Sequence, residues 1–186
     1  MEANDLTMRL FKRINGWMLV RSARESSIFV APKRFTVSDT IRVTKRFTFD
    51  MAHALYGYDG PCKNIHGHTY HLAVTVAGVI NVQEGHPELG LVVDFSELKE
   101  ITRQIILSEF DHALVLKNDA PYSRDGFLPE HFEKVLLVPF QPSCENLLMH
   151  FHRLLREALP ARIRLVALRL DETPTSYAEW RMEDQR

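Results

Sequence analysis

Three histidines stand where a chain could assemble a metal site. His53 ends a stretch in which Phe47, Phe49 and Met51 alternate with polar residues, so it continues the apolar side of that stretch. His66 and His68 open a second stretch, and Tyr70, Leu72, Val74 and Val76 follow them in phase. If the two stretches pair antiparallel, all three imidazoles arrive at one edge of the sheet, facing the same side. An H-x-H pair alone is commonly just an alternation of core or surface histidines. The in-phase His53 tips that balance, because three imidazoles on an apolar face are costly without a metal or hydrogen bonds. Three neutral nitrogens with an open fourth position are the donor set of a catalytic zinc site. Gly67 between the pair lets the backbone pass close to a neighbour.

Other chemistry-bearing residues gather around this cluster. Cys62 lies four residues before His66; beside a divalent cation and imidazoles its thiol would be acidified, as a fourth ligand or as a reactive thiolate base, against the plain alternative of a small inert residue. In Asp111-His112 a carboxylate can orient an imidazole and support its charged form, although a surface salt bridge would use the same dipeptide. Glu172 continues the apolar row Val166, Leu168, Leu170, and a carboxylate there calls for a cation or a set of N–H donors unless the strand has already frayed before Pro174. Glu145 could simply favour the dipole of the helix it opens.

The elements that must position these groups follow from periodicity. A strand is expected from Thr40, with Lys45 breaking its alternation, and a second from about Ile65 to Gly78 after the turn residues of Gly57–Pro61. A helix should open at Asp94, with Glu97 completing a capping box, and end near Asp111. The connection Ala113–Pro142 is long and carries the short apolar run Val135–Phe140. Ser143 should cap a second helix through Leu147, Leu148, Phe151, Leu154 and Leu155 to Pro160. Strands Ile163–Asp171 and about Tyr177–Arg181 close the order strand, strand, helix, helix, strand, strand. That is an α+β fold with two helices on one face of a four-stranded antiparallel sheet.

At 186 residues the chain suits one domain with a substantial core. Its formal charge of -1 gives no bulk reason for nucleic acid or an anionic membrane as partner, and its apolar runs are too short for a transmembrane span or a signal peptide. Cys62 and Cys144 are therefore read as reduced thiols of a cytoplasmic protein. The first 38 residues differ, with seven basic residues against three acidic ones, so residues 1–39 read as a basic extension and 40–186 as the domain. Leu6, Leu10, Ile14 and Trp17 permit a short amphipathic helix there, interrupted near Gly16. A dispensable extension, an arm packing on a neighbouring subunit and a targeting segment all remain open.

Cys62-Lys63-Asn64-Ile65-His66-Gly67-His68-Thr69-Tyr70 with His53 upstream, then Asp94-Phe95-Ser96-Glu97-Leu98-Lys99, Asp111-His112, Pro142-Ser143-Cys144-Glu145-Asn146 and Glu172-Thr173-Pro174, resembles the 6-pyruvoyltetrahydropterin synthase / 6-carboxytetrahydropterin synthase family from about Thr40 onward. The resemblance implies the tunnelling fold and an oligomer, a hexamer built from two trimers with active sites between subunits. By position it implies zinc on His53, His66 and His68, Cys62 as general base, and Asp111 and His112 as its relay. Glu172 would hold the pterin's guanidine-like edge, and the backbone of Ser143, Cys144 and Glu145 would frame the pterin from a neighbouring chain. Three residues between Cys62 and His66 resemble the bacterial 6-carboxytetrahydropterin synthases of queuosine biosynthesis, since the animal 6-pyruvoyl enzymes usually carry a longer gap. The N-terminal extension, the long Lys117–Gln141 segment and Ser143-Cys144 in place of a usual Thr with a small neighbour depart from that family.

The reaction so implied converts 7,8-dihydroneopterin triphosphate to 6-carboxy-5,6,7,8-tetrahydropterin with loss of acetaldehyde and triphosphate. Its nearest rival is elimination of triphosphate to 6-pyruvoyltetrahydropterin. A zinc and pterin binding module without turnover, or a zinc hydrolase in which Cys62 is dispensable, would use the same histidines.

Overall fold

The structure, a computed structural model, describes residues 9–14, 17–21, 28–31, 39–121 and 131–185. The chain divides into two units, Met1–Asp39 and Thr40–Arg186. In the first, β1 (Arg9–Ile14), β2 (Trp17–Arg21) and β3 (Ile28–Ala31) form an antiparallel three-stranded sheet in that order. The amphipathic helix expected here is thus replaced by strands. Over so few residues the spacing of Leu10, Ile14 and Trp17 does not separate the two periods, and Ile14 sits opposite Trp17 in a hairpin. Leu6 and Gly16, which the helix also used, lie outside the described residues.

The second unit begins with β4 (Thr40–His53) and β5 (His66–Val79), paired antiparallel along their whole length. Phe47, Phe49, Met51 and His53 are buried while Arg46, Thr48 and Asp50 are exposed, as the alternation required. On β5 the buried row is Tyr70, Leu72, Val74 and Val76. The register sets His53 opposite His66 and Met51 opposite His68.

Helix α1 (Phe95–Thr102) runs through a π turn (Arg103–Leu107) into α2 (Ser108–Phe110). Asp94 caps it by accepting from Ser96 N and Oγ at 2.7 and 2.8 Å. The reciprocal half of the expected capping box is absent, because the Glu97 carboxylate pairs with Arg162 instead. Helix α3 (Cys144–Ala158) is capped by Ser143, whose hydroxyl accepts from Asn146 N. Leu98, Ile106, Phe110, Leu147, Phe151 and Leu155 from these helices are all but fully buried against the β4–β5 face, with Phe49 stacked on Tyr70 and edge-on to Phe151. Each such large apolar side chain contributes about 1.5–3 kcal/mol of burial free energy.

The sheet is six-stranded and mixed, which corrects the expected four-stranded antiparallel one. Its order is β7-β6-β4-β5-β8-β9, where β6 is Ala113–Lys117, β7 Val135–Val138, β8 Arg164–Thr173 and β9 Ser176–Arg181. The two additional strands come from the long connection; β6 runs parallel to the end of β4, and β7 parallel to β6. The signal of β6 was hidden by burial on both sides, and β7 is a run of only four apolar residues. Ala113 and Val115 join the main core, and Leu114 and Leu116 a second small cluster with Ala54, so β6 has no polar alternation to read. Residues 122–130 of that connection lie outside the described residues. In β8 a bulge opposite Thr75/Val76 buries both Leu165 and Val166 before the alternation resumes at Leu168 and Leu170.

Candidate metal centre and active site

At the open end of the β4–β5 hairpin the three imidazoles converge. One ring nitrogen from each of His53, His66 and His68 lies within 4.8 Å of the others. His53 Nδ1 donates to the Pro142 carbonyl at 2.7 Å, and His66 Nδ1 to the Asn64 carbonyl at 2.8 Å. A carbonyl only accepts, so both rings carry a proton on Nδ1, which leaves Nε2 as the nitrogen that can ligate. Ligating histidines are oriented in this way by their outer partners. Burial holds the His53 pKa below its ordinary value, which keeps that ring neutral and able to ligate.

Glu172 reaches this cluster from β8. Its Oε1 lies 3.5 Å from His53 Nε2 and 3.9 Å from His68 Nε2. The same oxygen accepts a hydrogen bond from the Tyr70 hydroxyl at 3.0 Å, and that hydroxyl is 3.5 Å from His53 Nε2. Tyr70 is fully buried, and burial, reinforced by the Glu172 charge, pushes its phenol well above the ordinary value. The phenol therefore stays protonated and is the donor. Phase with the histidines placed Tyr70 on this face, and its polar tip on a core row was the signal that sequence reasoning passed over.

Cys62 is half-buried on a short helical turn, Pro61–Lys63, between the two histidine strands. Its carbonyl accepts from Leu55 N at 2.8 Å, which folds the turn back beside the residue two beyond His53. Pro142, whose carbonyl holds His53, precedes the α3 cap, so Ser143, Cys144 and Glu145 begin next to the cluster. The Cys144 thiol points into the core, donates to the Leu170 carbonyl at 3.3 Å and is pushed up to about 12 by burial. It stays a neutral thiol; Glu145 is exposed on the first turn.

Asp111 and His112 are brought to each other, with His112 Nδ1 2.9 Å from Asp111 Oδ1. They line an open groove with the outward-facing Asp50, Gly67 and Thr69; of the three histidines only His68 reaches it, and neither Cys62 nor Glu172 does. His112 has φ 60, a left-handed conformation rare for a side-chain-bearing residue. Its N–H donates to the Asp50 carbonyl at 2.6 Å, and Lys134 Nζ clamps the carbonyls of Ser108 and Asp111. A conformation costing about 1–3 kcal/mol is thereby held, and the His112 imidazole remains largely exposed. Nothing in the sequence flagged Lys134, which lies within the long connection, immediately before β7.

Residues 42–183 match the profile of the 6-pyruvoyl tetrahydropterin synthase family. The chain belongs to that family. Among curated family members, the 6-carboxy-5,6,7,8-tetrahydropterin synthase of Haemophilus influenzae is 36% identical over 142 residues, covering 75% of this chain and 97% of that one. The enzyme of the same name from Rickettsia bellii is 29% identical over 144 residues, covering 75% and 99%. In three dimensions the family fold is shared with Caenorhabditis elegans 6-pyruvoyl tetrahydropterin synthase, at a TM-score of 0.56 and 20% identity, covering 79% of this chain and 99% of the other.

Proposed function

We propose that this family member converts 7,8-dihydroneopterin triphosphate to 6-carboxy-5,6,7,8-tetrahydropterin, releasing acetaldehyde and triphosphate, as a cytoplasmic step toward queuosine. The observation that carries the reading is the three-imidazole cluster with two rings tied to carbonyls through Nδ1, faced by Glu172. The names of the curated relatives support the 6-carboxy product.

The donor set suits Zn2+, with His53, His66 and His68 as ligands and a position left for substrate. When bound, the ion supplies Lewis-acid stabilisation of negative charge on the substrate's side-chain oxygens. Cys62, as thiolate, removes a proton from the carbon activated by the pterin ring. His112, oriented by Asp111, returns a proton elsewhere on the side chain. Glu172 accepts from the N–H groups of the pterin's guanidine-like edge, and the start of α3 at Ser143, Cys144 and Glu145 frames the ring. Asp111 and His112 line a groove whose lining does not include Cys62, which favours a homo-oligomer, a dimer of trimers, whose active sites lie between subunits.

The test is incubation of zinc-loaded protein with the triphosphate substrate, product identification by mass, and a parallel acetaldehyde assay. A 6-carboxy product with acetaldehyde, lost in Cys62→Ala while zinc and fold remain, is the expected result. A 6-pyruvoyl product would overturn the product assignment. Zinc binding without turnover would leave a binding module, and turnover that survives Cys62→Ala a hydrolase.

A further inference from the structure

Tyr70 belongs to no role above, yet it is the only described residue whose hydroxyl reaches both Glu172 and the histidine cluster. Its neighbours fix what the hydroxyl can do. The phenol is fully buried, packed against Phe49, and two positions along β5 from His68, so the ring cannot swing away without opening the core. Two acceptors lie near its oxygen, Glu172 Oε1 at 3.0 Å and His53 Nε2 at 3.5 Å. His53 carries its proton on Nδ1, so Nε2 has one lone pair, and a metal ligand has that lone pair committed. Loading of the site therefore leaves Glu172 as the hydroxyl's sole acceptor.

The carboxylate, by contrast, is only partly enclosed and sits on a strand that turns back three residues later. Without the hydroxyl, Oε1 keeps no hydrogen-bond donor among the described residues apart from the histidine rings. Oε1 is thus held by a rigid core residue, while Oε2 is left for a ligand. We propose that Tyr70 is a positioning residue: its hydroxyl fixes the Glu172 carboxylate for capture of the pterin's N–H edge and couples that orientation to an occupied metal site. This rests on the reading of Glu172 as the pterin anchor.

The test uses zinc-loaded wild type, Tyr70→Phe, Glu172→Gln and the double variant, with neopterin as a fluorescent binding probe. Tyr70→Phe keeps the ring and removes one hydrogen bond to a charged group. Neopterin binding should weaken about tenfold and KM should rise alongside it, with kcat changed by no more than about threefold. The double variant should bind no more weakly than Glu172→Gln alone, because both remove the same oriented contact. Zinc content should equal that of wild type. Additive losses, or undiminished binding in Tyr70→Phe, would overturn the proposal. If wild type and Glu172→Gln bind neopterin alike, the anchor reading fails, and the tether is judged by thermal unfolding of the same four proteins. There, coupling between the two substitutions that grows on zinc loading sustains it, and additivity overturns it.

Discussion

If Cys62 and the Asp111-His112 pair act in one site but come from different chains, two inactive variants should rescue each other. The geometry sets the size of the effect. Within a chain, Asp111 and His112 line the outward groove and Cys62 does not, so a complete site would take its thiol from one subunit and its relay from another. Cys62→Ala and His112→Ala each remove a proton-transfer group, leaving about 1% activity or less. In an equal, random mixture of the two, a site draws an intact thiol about half the time and an intact relay about half the time. About a quarter of sites are then whole, some twenty-five-fold or roughly more above either parent. Wild type mixed equally with the doubly substituted chain should also give about a quarter, whereas sites built within one chain would give about a half. The assay is product formation by differently tagged chains co-expressed and purified through both tags, with native mass spectrometry verifying mixed oligomers. Activity of verified mixed oligomers at the single-variant level would refute the argument.

His66→Ala should lower tightly bound metal well below one ion per chain in elemental analysis, while its partly buried position at the first residue of β5, outside the core, leaves the fold intact by circular dichroism. Stoichiometric metal in that variant would remove His66 from the ligand set. A second prediction concerns His152, a buried ring tilted against Trp180 at 4.1 Å whose two nitrogens have no partner among the described residues. Burial, aided by Arg156, lowers its pKa from 6.5, so as pH falls below that value the unfolded chain takes up the proton first and stability declines. His152→Phe removes both the orphaned nitrogens and this titration. It should raise stability by about 1 kcal/mol at neutral pH and flatten the loss on the acid side, read as Tm between pH 7.5 and pH 5.5, on the order of one pH unit either side of the reference value. An unchanged slope would show that other groups govern the acid limb.

What the sequence made legible was whatever obeyed a single period with one wet side. β4 and β5 alternate cleanly, so their pairing, and with it the meeting of His53, His66 and His68, follows from the alternation alone. Glu172 was legible for the same reason, as a charge continuing an apolar row. The strands β6 and β7 were not: burial on both sides erases the alternation of β6, β7 is a four-residue apolar run, and a parallel partner leaves no tight turn as a second signal. Missing β6 also concealed where it leads Asp111 and His112. Beside the end of β4, to which β6 runs parallel, the His112 N–H and the Asp111 carboxylate bond to the Asp50 backbone, and both residues line the groove. The pairing of a thiol with a distant relay was read from residue types, which carry chemistry but no address. Only the strand order supplies the address, and a second subunit is the proposed source of the thiol that the groove's lining lacks.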